Sequence, residues 1–288
     1  MKRFLPLLAA TVAGLALSLP VLAQTVLTSG PVQIGIRDKG ALIHDDIGLR
    51  LTGAGEAVAV GWWHEEWGVS ANGVVAGDSL SPAFWLGNLN LVSFTSTPTS
   101  ATSVVSINTL PSLVIVHHFL PAVSSTMGAL FQVQVSLANT SVMGTLTDLR
   151  YVRVVDFDVP PTPFSEYITI GGLPASNVHL VHNNGFDTAN PLASTTPLGS
   201  FPPNTNVTDW GPRDQGAYFL LKFGDLAPGA VKRFSMFYGA AYDEVTAMSM
   251  LTSVGAEVYA IAQPDGAPRG NSFILAFKGV GGTPLGGA

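Results

Sequence analysis

The stretch "ALFQVQVSL", residues 129–137, decides the fold class. Phe131, Val133, Val135 and Leu137 alternate with Gln132, Gln134 and Ser136, and a period of two sends the two sets to opposite faces of an extended chain. One apolar face and one wet face describe an antiparallel strand. Working outward, "ATSVVSINTL", "SLVIVHHFL" and "LTDLRYVRVVDFDV" are runs of similar length, rich in Val, Ile, Phe and Tyr. Near the N-terminus, "PVQIGIRDKGALI" has a strand around Val32, Ile34 and Ile36 and a turn at Asp38-Lys39-Gly40. In "GAYFLLKFGDLAPGAVKRFSMFYGAA" two strands flank Leu226-Ala227-Pro228-Gly229, where proline sets one dihedral and glycine is free to take a positive one.

A single segment reads as helical. In "YDEVTAMSMLTSVG", Asp243 can cap, Glu244 stands in the first turn, Val245, Met248 and Leu251 share a face, and Gly255 can close the end. The expected fold is therefore all-β: a large antiparallel β-sandwich with one short α-helix near residues 242–254. No repeat period stands out. The stretch "LASTTPLGSFPP", Leu192 to Pro203, reads as a long loop or internal linker. Residues 24–288 are expected to form one sandwich domain with a Gly-rich C-terminal tail.

Lys2 and Arg3 precede the nearly uncharged run "FLPLLAATVAGLALSLPVLA", which ends in the small-residue pattern Val21-Leu22-Ala23. Residues 1–23 are expected to be a secretory signal peptide cleaved after Ala23, because Gly14, Ser18 and Pro20 suit processing better than spanning. Cleavage removes Lys2 and Arg3 and so moves the formal charge from −6 to −8. Only 11% of residues are charged and no basic cluster exists, so nucleic-acid binding is not expected. Nor does any later window suggest membrane insertion. The absence of cysteine excludes disulfides, zinc-thiolate sites and cysteine nucleophiles, leaving a large apolar core to hold the fold.

Several phrases resemble, in order and spacing, a secreted bacterial β-rich domain found in proteins with a PEP-CTERM sorting signal. They are "EEWGVSANG", "LRYVRVVDFDVPPTPFSEYITI", "GPRDQGAYFLLKFGDLAPGAVKRFSMFYGAA" and "VGAEVYAIAQPDG" leading to "NSFILAFKGVGG". The resemblance implies an exported cell-surface or matrix protein and carries over no catalytic residues. The residues after Lys278, "GVGGTPLGGA", have no Pro-Glu-Pro, apolar helix or terminal arginines, so the usual sorting signal is not expected here.

Three groups of residues invite a functional reading. In "GWWHEEWGVS", residues 61–70, an extended backbone would put Trp63, Glu65 and Trp67 on one face, suited to stacking on a sugar; buried tryptophan anchors are the alternative. Asp156 and Asp158 sit two apart at a strand end and could hold calcium with a third carboxylate such as Asp187 or Glu166. They could instead pair with Arg150 and Arg153 or, less in keeping with the rest of the chain, form a glycosidase pair. The last strand, with Phe273, Leu275 and Phe277 alternating, is expected to offer an edge on which another chain can assemble.

His117 and His118 face opposite ways on a strand, as do His179 and His182, and neither pair suits one metal ion. No nucleophile elbow, dinucleotide fingerprint or phosphate loop occurs. Two classes of function remain open. One is an exported structural or adhesive protein that assembles with itself or other surface proteins. The other is a carbohydrate-binding or carbohydrate-active sandwich that meets extracellular polysaccharide. A non-catalytic role is expected.

Overall fold

The computed structural model describes residues 24–81, 86–265 and 270–287; the expected signal peptide, residues 1–23, lies outside them. The chain is mostly strand, arranged in large antiparallel sheets. A small sheet comes first, with β1 (Thr25–Ser29), β2 (Val32–Ile36), β3 (Leu49–Leu51) and β4 (Gly55–Glu56) paired in order. Next come a hairpin of β5 (Glu65–Ala71) and β6 (Val74–Asp78), and a meander of β7 (Leu89–Thr97), β8 (Ser100–Ile107), β9 (Leu110–Ser124) and β10 (Gly128–Asn139). The chain then runs through β11 (Leu146–Phe157), β12 (Glu166–Gly171), β13 (Val178–His182), β14 (Val207–Arg213), β15 (Gln215–Leu226) and β16 (Val231–Ala241). The helix α1 (Glu244–Val254) precedes β17 (Val258–Pro264) and β18 (Ser272–Lys278).

A nine-stranded sheet has the order β14-β12-β17-β18-β16-β10-β9-β8-β7, and a five-stranded sheet the order β13-β15-β11-β5-β6. Their inner faces meet through aromatic contacts. The Tyr151 and Phe234 rings join β11 to β16 at 5.1 Å between centroids, and Phe219 and Phe277 join β15 to β18 at 4.9 Å. The alternation that predicted β10 holds, with Phe131, Val133, Val135 and Leu137 buried and Gln134 exposed. The small N-terminal sheet contributes Leu27, Ile34 and Leu49 to the same apolar cluster.

The helix sits where the sequence puts it, but turned about its axis. Asp243 accepts a hydrogen bond from the Thr246 amide at 2.6 Å and Gly255 closes the helix at φ 63°. A cap of this kind contributes about 1 kcal/mol. Ala247, Met250 and Leu251 form the buried face, while Val245 is solvent-exposed. They cover Leu130, Phe237, Ile261 and Ile274 on the outer side of the nine-stranded sheet, so β10 has apolar contacts on both faces at this end.

Residues 192–203 do not stand apart as a linker. Thr196 and Leu198 donate backbone hydrogen bonds to Asp187 and Asn183, and Phe201 is buried against Trp210. The sequence reading of β18 as an open edge is overturned. β18 pairs with β16 on one side and β17 on the other, and Phe273, Leu275 and Phe277 are fully buried. Its alternation reflects a strand packed on both faces, with the helix beneath Ile274 and Ala276, so it has no spare hydrogen-bonding side. Among the described residues no helix is long and apolar enough to cross a membrane.

Candidate functional site

The Trp63, Glu65 and Trp67 face does not form. Extended backbone starts only at Glu65, and Trp63 lies at φ 50°, which breaks the alternation. Glu65 and Trp67 point into the core, where the Trp67 indole N–H donates to the Lys39 carbonyl at 3.0 Å and its ring stacks on Tyr151. Glu65 Oε1 accepts from Arg153 Nε at 2.5 Å and from the Tyr238 hydroxyl at 2.6 Å, while its Oε2 accepts the Leu42 amide at 2.6 Å. The Arg153 guanidinium also donates to the Gly40 carbonyl and the Tyr151 hydroxyl. This ion pair ties β5 and β11 to β16 across the sandwich. Glu65, Arg153 and Tyr238 are all fully buried.

A second buried polar chain runs from Ser79 to Glu66 to His64. The Ser79 hydroxyl donates to Glu66, His64 Nε2 lies 2.9 Å from the same Glu66 oxygen, and His64 Nδ1 meets the Gly185 carbonyl. The carboxylate stands between the serine and the histidine, so the histidine is not placed to take the hydroxyl proton. A Ser-His-carboxylate triad instead places the imidazole between the hydroxyl and the carboxylate.

Asp156 and Asp158 form the nucleus of the best-defined candidate site. Strand alternation carries both to the same side at the end of β11. The backbone there is held by amide donation from Asp156 to the His64 carbonyl and from Asp158 to the Ala57 carbonyl, at 2.8 and 2.9 Å. The third carboxylate is Asp214, at the junction of β14 and β15: one oxygen from each of the three lies within 4.8 Å of the others. The turn comes this close because residue 216 is glycine; a Cβ there would lie 1.9 Å from the Val155 carbonyl oxygen.

Asp187, one of the two third ligands suggested by the sequence, is used elsewhere. It accepts from Asn184, Thr196 and its neighbour Thr188, and so shapes the 184–196 loop. Asp214 was missed because nothing in "GPRDQGAY" marks one aspartate as facing a strand end almost sixty residues away.

Glu166, at the start of β12, adjoins the trio. Its Oε1 accepts the Gln215 amide at 2.7 Å, and its carbonyl accepts from the Gln215 side chain. Asp156 and Asp158 are 3% and 1% exposed and Glu166 is fully buried, yet Asp156 Oδ1, both Asp158 oxygens and Glu166 Oε2 have no well-formed hydrogen bond.

The arginines expected to neutralise the pair are committed elsewhere, Arg150 to Asp148 and Arg153 to Glu65. Burial, then the neighbouring carboxylates, pushes Asp156 well above the usual carboxylate range. Burial and the Asp214 charge push Asp158 up to about 7, despite a weak hold from the Phe164 amide. Glu166 is pushed up to about 9, chiefly by burial, against the opposing Gln215 amide.

Exposed aromatic residues stand next to this cluster in the chain: Phe164 packs against Gly61, and Trp62 and Trp63 follow Gly61 directly. Trp62 and Trp63 are 61% and 38% exposed and Phe164 is 51% exposed. Gly61, at φ 58°, brings their loop together with the cluster: a Cβ on it would meet the Phe164 ring at 2.8 Å and Asp158 Oδ2 at 3.3 Å.

No family model matches the chain, and no curated protein matches its sequence.

Proposed function

We propose that this protein is an exported structural or adhesive component of the cell surface or matrix, which assembles with a second copy of itself through a sheet edge. The observation that carries the proposal is β7. It closes the nine-stranded sheet, pairs among the described residues with β8 alone, and presents nine residues, "LNLVSFTST", without a charge. Among the described residues no strand pairs with its outer side. Leu91 and Val92 are exposed on it, Val92 by 56%.

Sheet edges of soluble monomers are ordinarily guarded by lysine, proline or strong bulges. Here the guard is one register shift between Leu91 and Ser93. The opposite edge, β14, carries Asp209, Pro212 and Arg213 and pairs irregularly with β12. A head-to-tail fibre joining β7 to β14 is therefore disfavoured, and a two-fold pairing of β7 with β7 is favoured. The apolar, basic-tipped N-terminus and the resemblance to sorting-signal proteins support export.

Light scattering of the mature chain is expected to show a dimer, and Val92→Lys with Thr95→Lys is expected to yield a monomer that still unfolds cooperatively, with a melting temperature that no longer depends on protein concentration. A monomeric wild type at high concentration removes this reading.

The exposed aromatics Trp62, Trp63 and Phe164 favour a second reading, carbohydrate binding. Aromatic faces beside carboxylates suit a sugar ring and its hydroxyls. On this reading Trp62→Ala with Trp63→Ala abolishes the calorimetric heat of polysaccharide fragments, whereas Trp67 is irrelevant except to stability. Equal binding by wild type and variant would leave the aromatics without that role.

A further inference from the structure

We infer that Asp156, Asp158, Asp214 and Glu166 bind one divalent cation of the calcium class, which clamps the two sheets together at this end of the sandwich. The inference stands apart from the assembly proposed above and survives its failure.

The first observation is the convergence of three carboxylate oxygens within 4.8 Å. The second is independent of that trio. Glu166 is fully buried beside it and keeps Oε2 without a well-formed hydrogen bond, its other oxygen being anchored by the residue next to Asp214. Natural proteins rarely leave buried carboxylate oxygens unsatisfied, because desolvating an unpaired charge costs several kcal/mol. Among the described residues, the ion pairs formed by Arg37, Arg50, Arg150, Arg153, His64 and Lys222 all go to other carboxylates. A positive charge supplied from solution resolves the conflict.

The donors identify the cation. All are hard oxygens with no histidine or cysteine among them, which selects against zinc and copper and for calcium or magnesium. Magnesium retains several waters and is usually held by only one or two carboxylates. A largely buried set of three or four protein carboxylates suits the larger ion, which sheds water more readily.

Placement supplies the consequence. Asp156 and Asp158 extend from β11 of the five-stranded sheet and Glu166 begins β12 of the nine-stranded one. Asp214 bridges β14 and β15, one strand from each sheet. A cation held by all four joins both layers.

The test uses the full mature chain, stripped with a chelator and titrated separately with calcium chloride and magnesium chloride. Calorimetry is expected to show one calcium per chain, and the melting temperature to rise by about 5 to 10 °C when calcium is at roughly a hundred times its Kd. Asp214→Asn, at an exposed position that folding tolerates, is expected to weaken calcium binding by roughly tenfold or more. Asp158→Asn is expected to abolish the calcium response without lowering the melting temperature of the stripped protein, because it removes a buried charge. No heat and no thermal shift at millimolar calcium, or an undiminished response in both variants, overturns the inference. A response to magnesium alone overturns the assignment to the larger ion.

Discussion

Replacing Arg153 by methionine is expected to lower the unfolding free energy by about 3 to 5 kcal/mol, among the largest losses available to a single change in this chain. The reason is what remains behind. Glu65 is fully buried, and its Oε1 would keep the Tyr238 hydroxyl but lose the guanidinium. The Gly40 carbonyl and the Tyr151 hydroxyl would lose a donor in the same step. A solitary carboxylate in the core then has to be protonated or hydrated, and either opens the packing between β5, β11 and β16. The double variant Glu65→Leu with Arg153→Met is expected to recover most of the loss, because an apolar pair of similar volume carries no desolvation penalty. Urea denaturation of wild type, both single variants and the double variant forms the complete cycle. Single-variant losses below about 1 kcal/mol would show that water reaches the pair.

A comparable or larger effect is expected at the C-terminal strand. Ending the chain before Asn271 removes β18 from the middle of the nine-stranded sheet and strands the hydrogen-bonding sides of β16 and β17. It also deletes Phe273, Leu275 and Phe277 from the core. Such a chain is expected to show no cooperative unfolding transition. Phe277→Ala isolates the packing part. Its ring contacts Phe219 in the facing sheet, and truncation is expected to cost about 3 to 5 kcal/mol as lost burial plus a residual cavity. Thermal or urea unfolding of the two variants checks both expectations. A truncated chain that still unfolds cooperatively near the wild-type midpoint would mean that β16 and β17 can close the sheet without β18.

The sequence by itself determined the class of the fold. Strand alternation at Phe131 to Leu137, the Pro228-Gly229 turn and the Asp243 and Gly255 helix ends are local signals, set by side-chain periodicity and backbone dihedrals within a few residues. They were legible for that reason. The same local reasoning failed wherever burial on a second face changed the meaning of a pattern. Val245 has the spacing of a core residue but faces solvent, because the sheet beneath α1 receives Ala247, Met250 and Leu251 instead. Phe273, Leu275 and Phe277 in β18 read as an available edge until β16 and β17 are seen to flank the strand and the helix to cover its other face. Trp63, Glu65 and Trp67 share a parity that the positive dihedral at Trp63 breaks.

The candidate site was half legible. Asp156 and Asp158 announce themselves by lying two apart at a strand end, and Glu166 was one of the two residues named to join them. Asp214 was not, since only the pairing of β15 with β11 and the close approach at Gly216 bring it to them. The free edge likewise belongs to the tertiary structure. Whether a strand has one neighbour or two depends on sheet order, which strands distant in sequence settle between them through long-range hydrogen bonds. Periodicity reports which way side chains point, and not what stands beside the backbone.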